Sequence, residues 1–248
     1  MSIFDGKVAL VTGGGTGIGR ATALQLAAEG AAVAINYSHS NQEAEDTAAQ
    51  INSMGTSSIV IQTDVSQESQ VRSMIATVVE KLGGIDLLVN NAGCTRAVLP
   101  TDLKGVIEED FDQIFAVNVK GVFFCSRTAI PEMERRGHGH IINVASIAGI
   151  TGLGSSLVYA ASKAAVINLT RGMAHGQAPK VQINSVSPGM VDTRWHATMG
   201  DAMMKKNVEA TPMGRAALAD DVATAIIGLF RSTYITGTNL VVDGGRTI

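Results

Sequence analysis

Short apolar runs and longer amphipathic segments take turns along this chain. The runs at 7–12, 32–36, 58–62, 85–89, 140–144, 181–186 and 238–242 are rich in Val, Ile and Leu, with apolar side chains at consecutive positions. That is the pattern of strands buried on both faces. Between them, apolar residues recur at helical spacing over 18–29, 41–54, 68–82, 111–133, 156–174 and 220–230, and Gly30, Gly55 and Gly83 follow three of these segments as stop signals. Alternation of this kind, repeated about seven times, predicts an α/β fold: a doubly wound parallel sheet of about seven strands with helices on both faces. No Pro/Ser-rich linker, composition break or internal repeat divides the chain, so a single domain over 1–248 is expected. The least regular stretch is 190–211. Structureless segments of that length are usually functional, and this one is expected to be a substrate lid with Trp195 facing the cleft.

Composition narrows the function classes. With 19 basic and 22 acidic residues the formal charge is −3, and no run of like charge occurs, which argues against nucleic acid as a partner. Hydrophobic residues make up 46% and charged residues 17%, enough for a large core. Two cysteines, Cys94 and Cys125, are too few for a disulfide framework and suit a reducing compartment. No run reaches the ~18 apolar residues of a membrane span, and Asp5 and Lys7 interrupt any signal-peptide core. A cytoplasmic protein with no membrane partner is expected.

The chemistry-bearing positions fall at the ends of predicted strands. The first strand runs into Thr12-Gly-Gly-Gly-Thr-Gly-Ile-Gly19 and then a helix. Glycines at Gly13, Gly17 and Gly19 allow a tight turn and a close approach of pyrophosphate to free N–H groups at a helix N-terminus. A glycine cluster alone could be a plain turn, but its place between the first strand and first helix is what a dinucleotide site requires. Tyr159 and Lys163, four residues apart in a predicted helix, share one face. An ammonium beside a phenol would lower its pKa from ~10 toward working pH and make Tyr159 a proton donor. Taken alone the pair is also what an ordinary helix surface shows. Ser146, just past the strand at 140–144, lies at the sheet edge where such folds bind ligands.

The glycine loop, Asn90-Asn-Ala-Gly93, Asn118 in Asn-Val-Lys-Gly, Ser146, Tyr159/Lys163 and Pro188-Gly189 together, in this order, resemble the short-chain dehydrogenases/reductases, most of all the 3-oxoacyl-(acyl-carrier-protein) reductases and related carbonyl reductases. The resemblance runs from Lys7 to Asp243-Gly-Gly245. It implies a Rossmann-type enzyme that interconverts a ketone and a secondary alcohol by hydride transfer with NAD(P)(H). Asn118, Ser146, Tyr159 and Lys163 would be catalytic. Thr12, Gly13, Gly17, Ile18 and Gly19 would hold the pyrophosphate, with Tyr37, Ser38 and His39 at the ribose and Asp64 and Val65 at the adenine. Asn90, Asn91, Ala92 and Gly93 would line the adenosine side, and Pro188, Gly189, Val191 and Thr193 the nicotinamide. Lys163 would also hold the nicotinamide ribose. A homotetramer is implied.

The substrate stays open between a 3-oxoacyl thioester and a small ketone, sugar or polyol. A carrier protein would need a basic patch beside the cleft, for which Lys180, Arg135 and Arg136 are the candidates. A non-catalytic nucleotide sensor of the same fold would be expected to lack the tyrosine or lysine. At the second strand's end, where an acid would bind the ribose of NAD, stands Tyr37, with no carboxylate before Glu43. NADP(H) is therefore expected in preference, with NAD(H) use left open. Thr16, where many NADP-users carry a base, and Asn36, which could serve an unphosphorylated ribose, argue the other way. No metal is expected, since His138, His140, His175 and His196 lack ligand spacing. Cys94 reads as a passive thiol, and Met199, Met203 and Met204 as packing residues.

Overall fold

The computed structural model describes residues 3–194 and 201–248. Its core follows from strand residues with no polar face. In β1 (Val8–Val11), Ala9 and Val11 point into one apolar cluster, while Val8 and Leu10 point into a second on the other side. After β1 the chain runs through α1 (Gly17–Ala28), β2 (Ala32–Tyr37), α2 (Asn41–Ser53), β3 (Ser58–Gln62), α3 (Glu68–Leu82) and β4 (Leu87–Asn90). It continues through α4 (Glu108–Phe115), α5 (Val122–Arg135), β5 (Gly139–Val144), α6 (Ala148–Thr151), α7 (Leu157–Gln177) and β6 (Val181–Pro188). Last come β7 (Val191–Asp192), α8 (Asp201–Glu209), β8 (Ala217–Leu218), α9 (Ala219–Arg231) and β9 (Asn239–Val242). Seven strands form one parallel sheet in the order β3-β2-β1-β4-β5-β6-β9, with β7 and β8 pairing separately. Leu26, Ala48 and Ile226, from α1, α2 and α9, fill one face, and Met74, Ile75 and Met133, from α3 and α5, fill the other. Each of the leucine, isoleucine and methionine side chains among these contributes about 1.5–3 kcal/mol on full burial. The doubly wound sheet expected from the alternation is the observed architecture, and strand order reverses between β1 and β4, where such sheets open a ligand crevice at the strands' C-terminal ends.

Two expected elements differ. The helix at 111–133 is not continuous: α4 passes into a π-helical segment, Ala116–Gly121, before α5 resumes. Periodicity reads apolar positions and does not register one extra residue in a turn. The stretch 190–211 holds β7 and α8 rather than loop alone, and Trp195 and Met199 lie outside the described residues. Helix α7 runs on through Gly176 to Gln177, two residues before Pro179.

Candidate active site

Loops from six strands meet at the C-terminal edge of the sheet. The turn after β1 is locked to the turn after β4. Thr12 is buried, its hydroxyl donating to Val89 O and accepting from the amides of Asn91 (2.9 Å) and Ala92 (3.0 Å). Asn91 returns its side-chain amide to the carbonyls of Thr12 (2.9 Å) and Gly13 (3.1 Å). Thr12, expected to touch pyrophosphate, therefore spends its hydroxyl inside the protein and shapes the loop from beneath. Asn36 is likewise buried: its Oδ1 accepts from the Gly13 amide and its Nδ2 donates to Thr63 O, so it does not face a ribose.

The glycine loop is left as a cradle. Gly13 and Gly17 have φ of 62° and 51°, values that only glycine adopts without strain. A Cβ on Gly15 would sit 2.8 Å from the backbone nitrogen of Ala44. Helix α1 starts at Gly17 with no side-chain cap and no acid in its first turn, so its N–H groups and dipole favour an anion. This donor set fits the pyrophosphate of a dinucleotide. Around it, Tyr37 is half-buried, Ser38 and His39 are exposed, Val65 packs against Gly121, and Thr193 lies against Gly17.

The four expected catalytic residues converge on the same edge. Ser146 follows β5, with its hydroxyl accepting from the Ala148 amide at 3.1 Å, and the neighbouring Ile147 amide ties to Pro188 O at 3.0 Å. Helix α7 opens with Ser156 as its cap, accepting from the Tyr159 amide. Tyr159 and Ser146 share a side-chain hydrogen bond. Lys163 is buried, donates to Val144 O at 2.8 Å, and places Nζ 5.7 Å from the centre of the Tyr159 ring. Asn118 sits in the π-helical segment, a feature frequent at functional sites. It is fully buried and bonds Cys94 and Ser162, while Gly93 lies between Asn118 and Lys163, each within 3.6 Å of where a Cβ would stand.

A family model described as enoyl-(acyl carrier protein) reductase matches residues 13–247. The 3-oxoacyl-(acyl-carrier-protein) reductase FabG of Staphylococcus aureus is 38% identical over 242 residues, covering 96% of this chain and 97% of the relative. A short-chain dehydrogenase from Burkholderia cenocepacia, solved in complex with NADP, superimposes with a TM-score of 0.92 at 36% identity, covering 99% of both chains. The chain belongs to the short-chain dehydrogenase/reductase family. An NAD+-bound xylitol dehydrogenase is also similar, with a TM-score of 0.91 at 31% identity over 98% of this chain and all of the other. As a member of this family, the protein is an NAD(P)-dependent oxidoreductase acting between CH–OH and C=O.

Electrostatics here depart from the expectation that Lys163 acidifies Tyr159. Burial pushes the Tyr159 phenol up to about 12, with the Ser146 hydrogen bond only partly opposing it, and burial brings the Lys163 ammonium down to about 8. Removal from water disfavours the charged form of each group, so the phenol rises and the ammonium falls. Burial likewise raises the Cys94 thiol, in keeping with a passive role. The basic residues considered for carrier docking lie at the other end of the sheet. Arg135 ends α5 just before β5, Arg136 bonds Asp86, and Lys180 precedes β6 and pairs with Glu134. A six-residue strand such as β5 separates them from this chain's own cleft, about 20 Å at 3.3 Å per residue. Among the described residues no cluster of His, Cys, Asp or Glu could hold a metal, and no helix is long and apolar enough to cross a membrane. Sequence reasoning missed Arg194, which reaches the loop after β2 across more than 150 positions of chain; nothing local signals that contact.

Proposed function

We propose that this enzyme reduces a 3-oxoacyl thioester to the 3-hydroxyacyl thioester with NADPH. The observation that carries the reading is the gathering of Ser146, Tyr159, Lys163 and Asn118 on the edge that also bears the uncapped glycine cradle. The name of the Staphylococcus relative supports the substrate class, and the NADP complex of the Burkholderia structure supports the cofactor. Gly13, Gly17, Ile18 and Gly19 hold the pyrophosphate, Tyr37, Ser38 and His39 face the ribose, Asp64, Val65, Asn91, Ala92 and Gly93 line the adenosine side, and Pro188, Gly189, Val191 and Thr193 flank the nicotinamide. The nicotinamide, when bound, supplies the hydride to the carbonyl carbon.

The chain's own groups handle the oxygen. Ser146 donates a hydrogen bond to it and fixes its position, and Tyr159 gives it a proton. A phenol held near 12 is fully protonated at neutral pH, which suits an acid in the reducing direction. The Lys163 cation stabilises the phenolate left behind and holds the nicotinamide ribose. Asn118 keeps the 93–94 turn and α7 in register beside Lys163.

The protein works as a cytoplasmic homotetramer in this reading; exposed Phe123 on α5 and Leu157 on α7 are apolar positions that helix pairing would cover. Sedimentation velocity at micromolar concentration tests the assembly, and a stable monomer refutes it. The substrate test follows NADPH absorbance with 3-oxoacyl thioesters on carrier protein, on coenzyme A and on a short thiol, beside cyclic ketones and polyols. Thioesters should be turned over best. A second reading, a small-ketone or polyol enzyme, is favoured by the remoteness of Lys180, Arg135 and Arg136 from the cleft. Activity on free ketones or polyols exceeding that on every thioester establishes it.

A further inference from the structure

The loop after β2, Tyr37-Ser-His-Ser40, has no carboxylate to bind ribose hydroxyls, and Thr16 offers no positive charge to a phosphate. A full cation nevertheless arrives from elsewhere. Leaving β7, Thr193 packs its methyl group against Gly17, within 3.3 Å of where a Cβ would stand. The next residue, Arg194, extends from beside the glycine loop to the start of α2. Its Nη2 lies 3.4 Å from Ser40 Oγ and its Nη1 pairs with Glu43 in the first turn of α2. The guanidinium is well exposed, at 63% of its side-chain surface, so it is free to exchange partners.

We infer that Arg194 is the residue that reads the 2′ position of the cofactor ribose, pairing with a 2′-phosphate in exchange for Glu43. This rests on the NADP(H) reading above. A guanidinium presents a planar fork that matches a phosphate through two hydrogen bonds, and a phosphate monoester carries up to twice the charge of the carboxylate it displaces. Ser40 adds a hydroxyl donor on the same side. Glu43 then has two roles: it parks Arg194 at the mouth of the ribose site, and it sets a threshold that an unphosphorylated ribose has no charge to overcome. Specificity comes from the residue after the nicotinamide-flanking segment rather than from the loop after β2, so one short stretch, Thr193-Arg194, touches both ends of the dinucleotide groove.

The test uses fragments that lack nicotinamide, so that binding is read by calorimetry without turnover. Adenosine 2′,5′-bisphosphate and adenosine 5′-monophosphate are titrated into the wild-type protein, Arg194→Gln and Glu43→Gln. Arg194→Gln should weaken the bisphosphate by about tenfold or more, the scale of a lost hydrogen bond to a charged group, and leave the monophosphate unchanged. Glu43→Gln should tighten the bisphosphate severalfold by freeing the guanidinium. If Arg194→Gln weakens both nucleotides alike, or neither, Arg194 does not read the 2′ position. If the wild-type protein prefers the bisphosphate and Arg194→Gln keeps that preference, the NADP(H) reading stands and this assignment alone falls. If the wild-type protein binds both nucleotides equally, both fall together.

Discussion

Asn118 grips the backbone of Cys94 in both directions: its Oδ1 accepts from the Cys94 amide at 2.8 Å and its Nδ2 donates to the Cys94 carbonyl at 3.0 Å. The same Nδ2 donates to Ser162 on α7 at 3.0 Å, and Ser162 in turn donates to Tyr159 O. One buried amide therefore joins the turn after β4 to the helix that carries Tyr159 and Lys163. The π-helical segment makes this geometry, because its wider turn swings Asn118 inward between two regular helices.

Asn118→Ala should leave the Cys94 backbone and the Ser162 hydroxyl without partners. Buried groups stranded in this way cost about 1–3 kcal/mol. Urea unfolding should show that loss, and turnover should fall with it. Slackening of the 93–94 turn should also expose the Cys94 thiol, so labelling by a thiol reagent should be faster than in the wild-type protein. A variant of unchanged stability and labelling rate would mean that the amide pairing is dispensable.

Tyr159→Phe removes the phenol oxygen while keeping the ring that packs against Gly154. Turnover should drop by the ~10²–10⁴ typical of a lost general acid, with NADPH affinity, read by fluorescence, close to that of the wild-type protein. Near-normal turnover on the best substrate would remove Tyr159 from the chemistry.

In the proposed mechanism Lys163 should set the pH dependence of the reaction. With its ammonium held at about 8 by burial, the cation is present below that pH and lost above it. The reductive rate should therefore fall as pH rises through about 8. In the proposed mechanism one side chain serves the phenol and the ribose, so Lys163→Ala should lower both turnover and cofactor affinity. A reductive profile flat from pH 7 to 10 would mean that another group carries the charge.

What could be read from the sequence divides by range of interaction. The glycine cradle, the Ser146 turn and the Tyr159/Lys163 face are local patterns, and each sits where its neighbours in sequence place it. The strand runs were legible because residues such as Leu10, Val33 and Ile141 are buried in the middle of a parallel sheet and show no polar alternation. The bonds that use up Thr12 and Asn36 join residues far apart in sequence, to Asn91 and Thr63, and no spacing rule reports them. Arg135 and Arg136 are near the catalytic segment in sequence yet at the opposite sheet edge, because a whole strand intervenes. The rise of the Tyr159 pKa was hidden for a related reason: the sign depends on how completely the phenol is shielded from water, which only packing decides.

His140 offers a test of stability rather than catalysis. It is the second residue of the interior strand β5, at the sheet end remote from the cleft, beside the Phe230 ring and near Lys7 and His138. Its Nδ1 is buried and makes no hydrogen bond among the described residues. Burial, reinforced by the charges of His138 and Lys7, brings the imidazole down to about 4, against ~6.5 in an unfolded chain. Between those values the unfolded chain binds a proton that the folded chain refuses, so stability rises with pH across the window. The contribution is complete above about 6.5, is lost progressively as pH falls, and is gone below about 4. His140→Leu removes the titrating group and keeps an apolar contact to Phe230. Urea midpoints at pH 7 and pH 5 should therefore lie closer together in the variant than in the wild-type protein. If the two proteins lose the same stability between these pH values, the acid sensitivity belongs to a group other than His140.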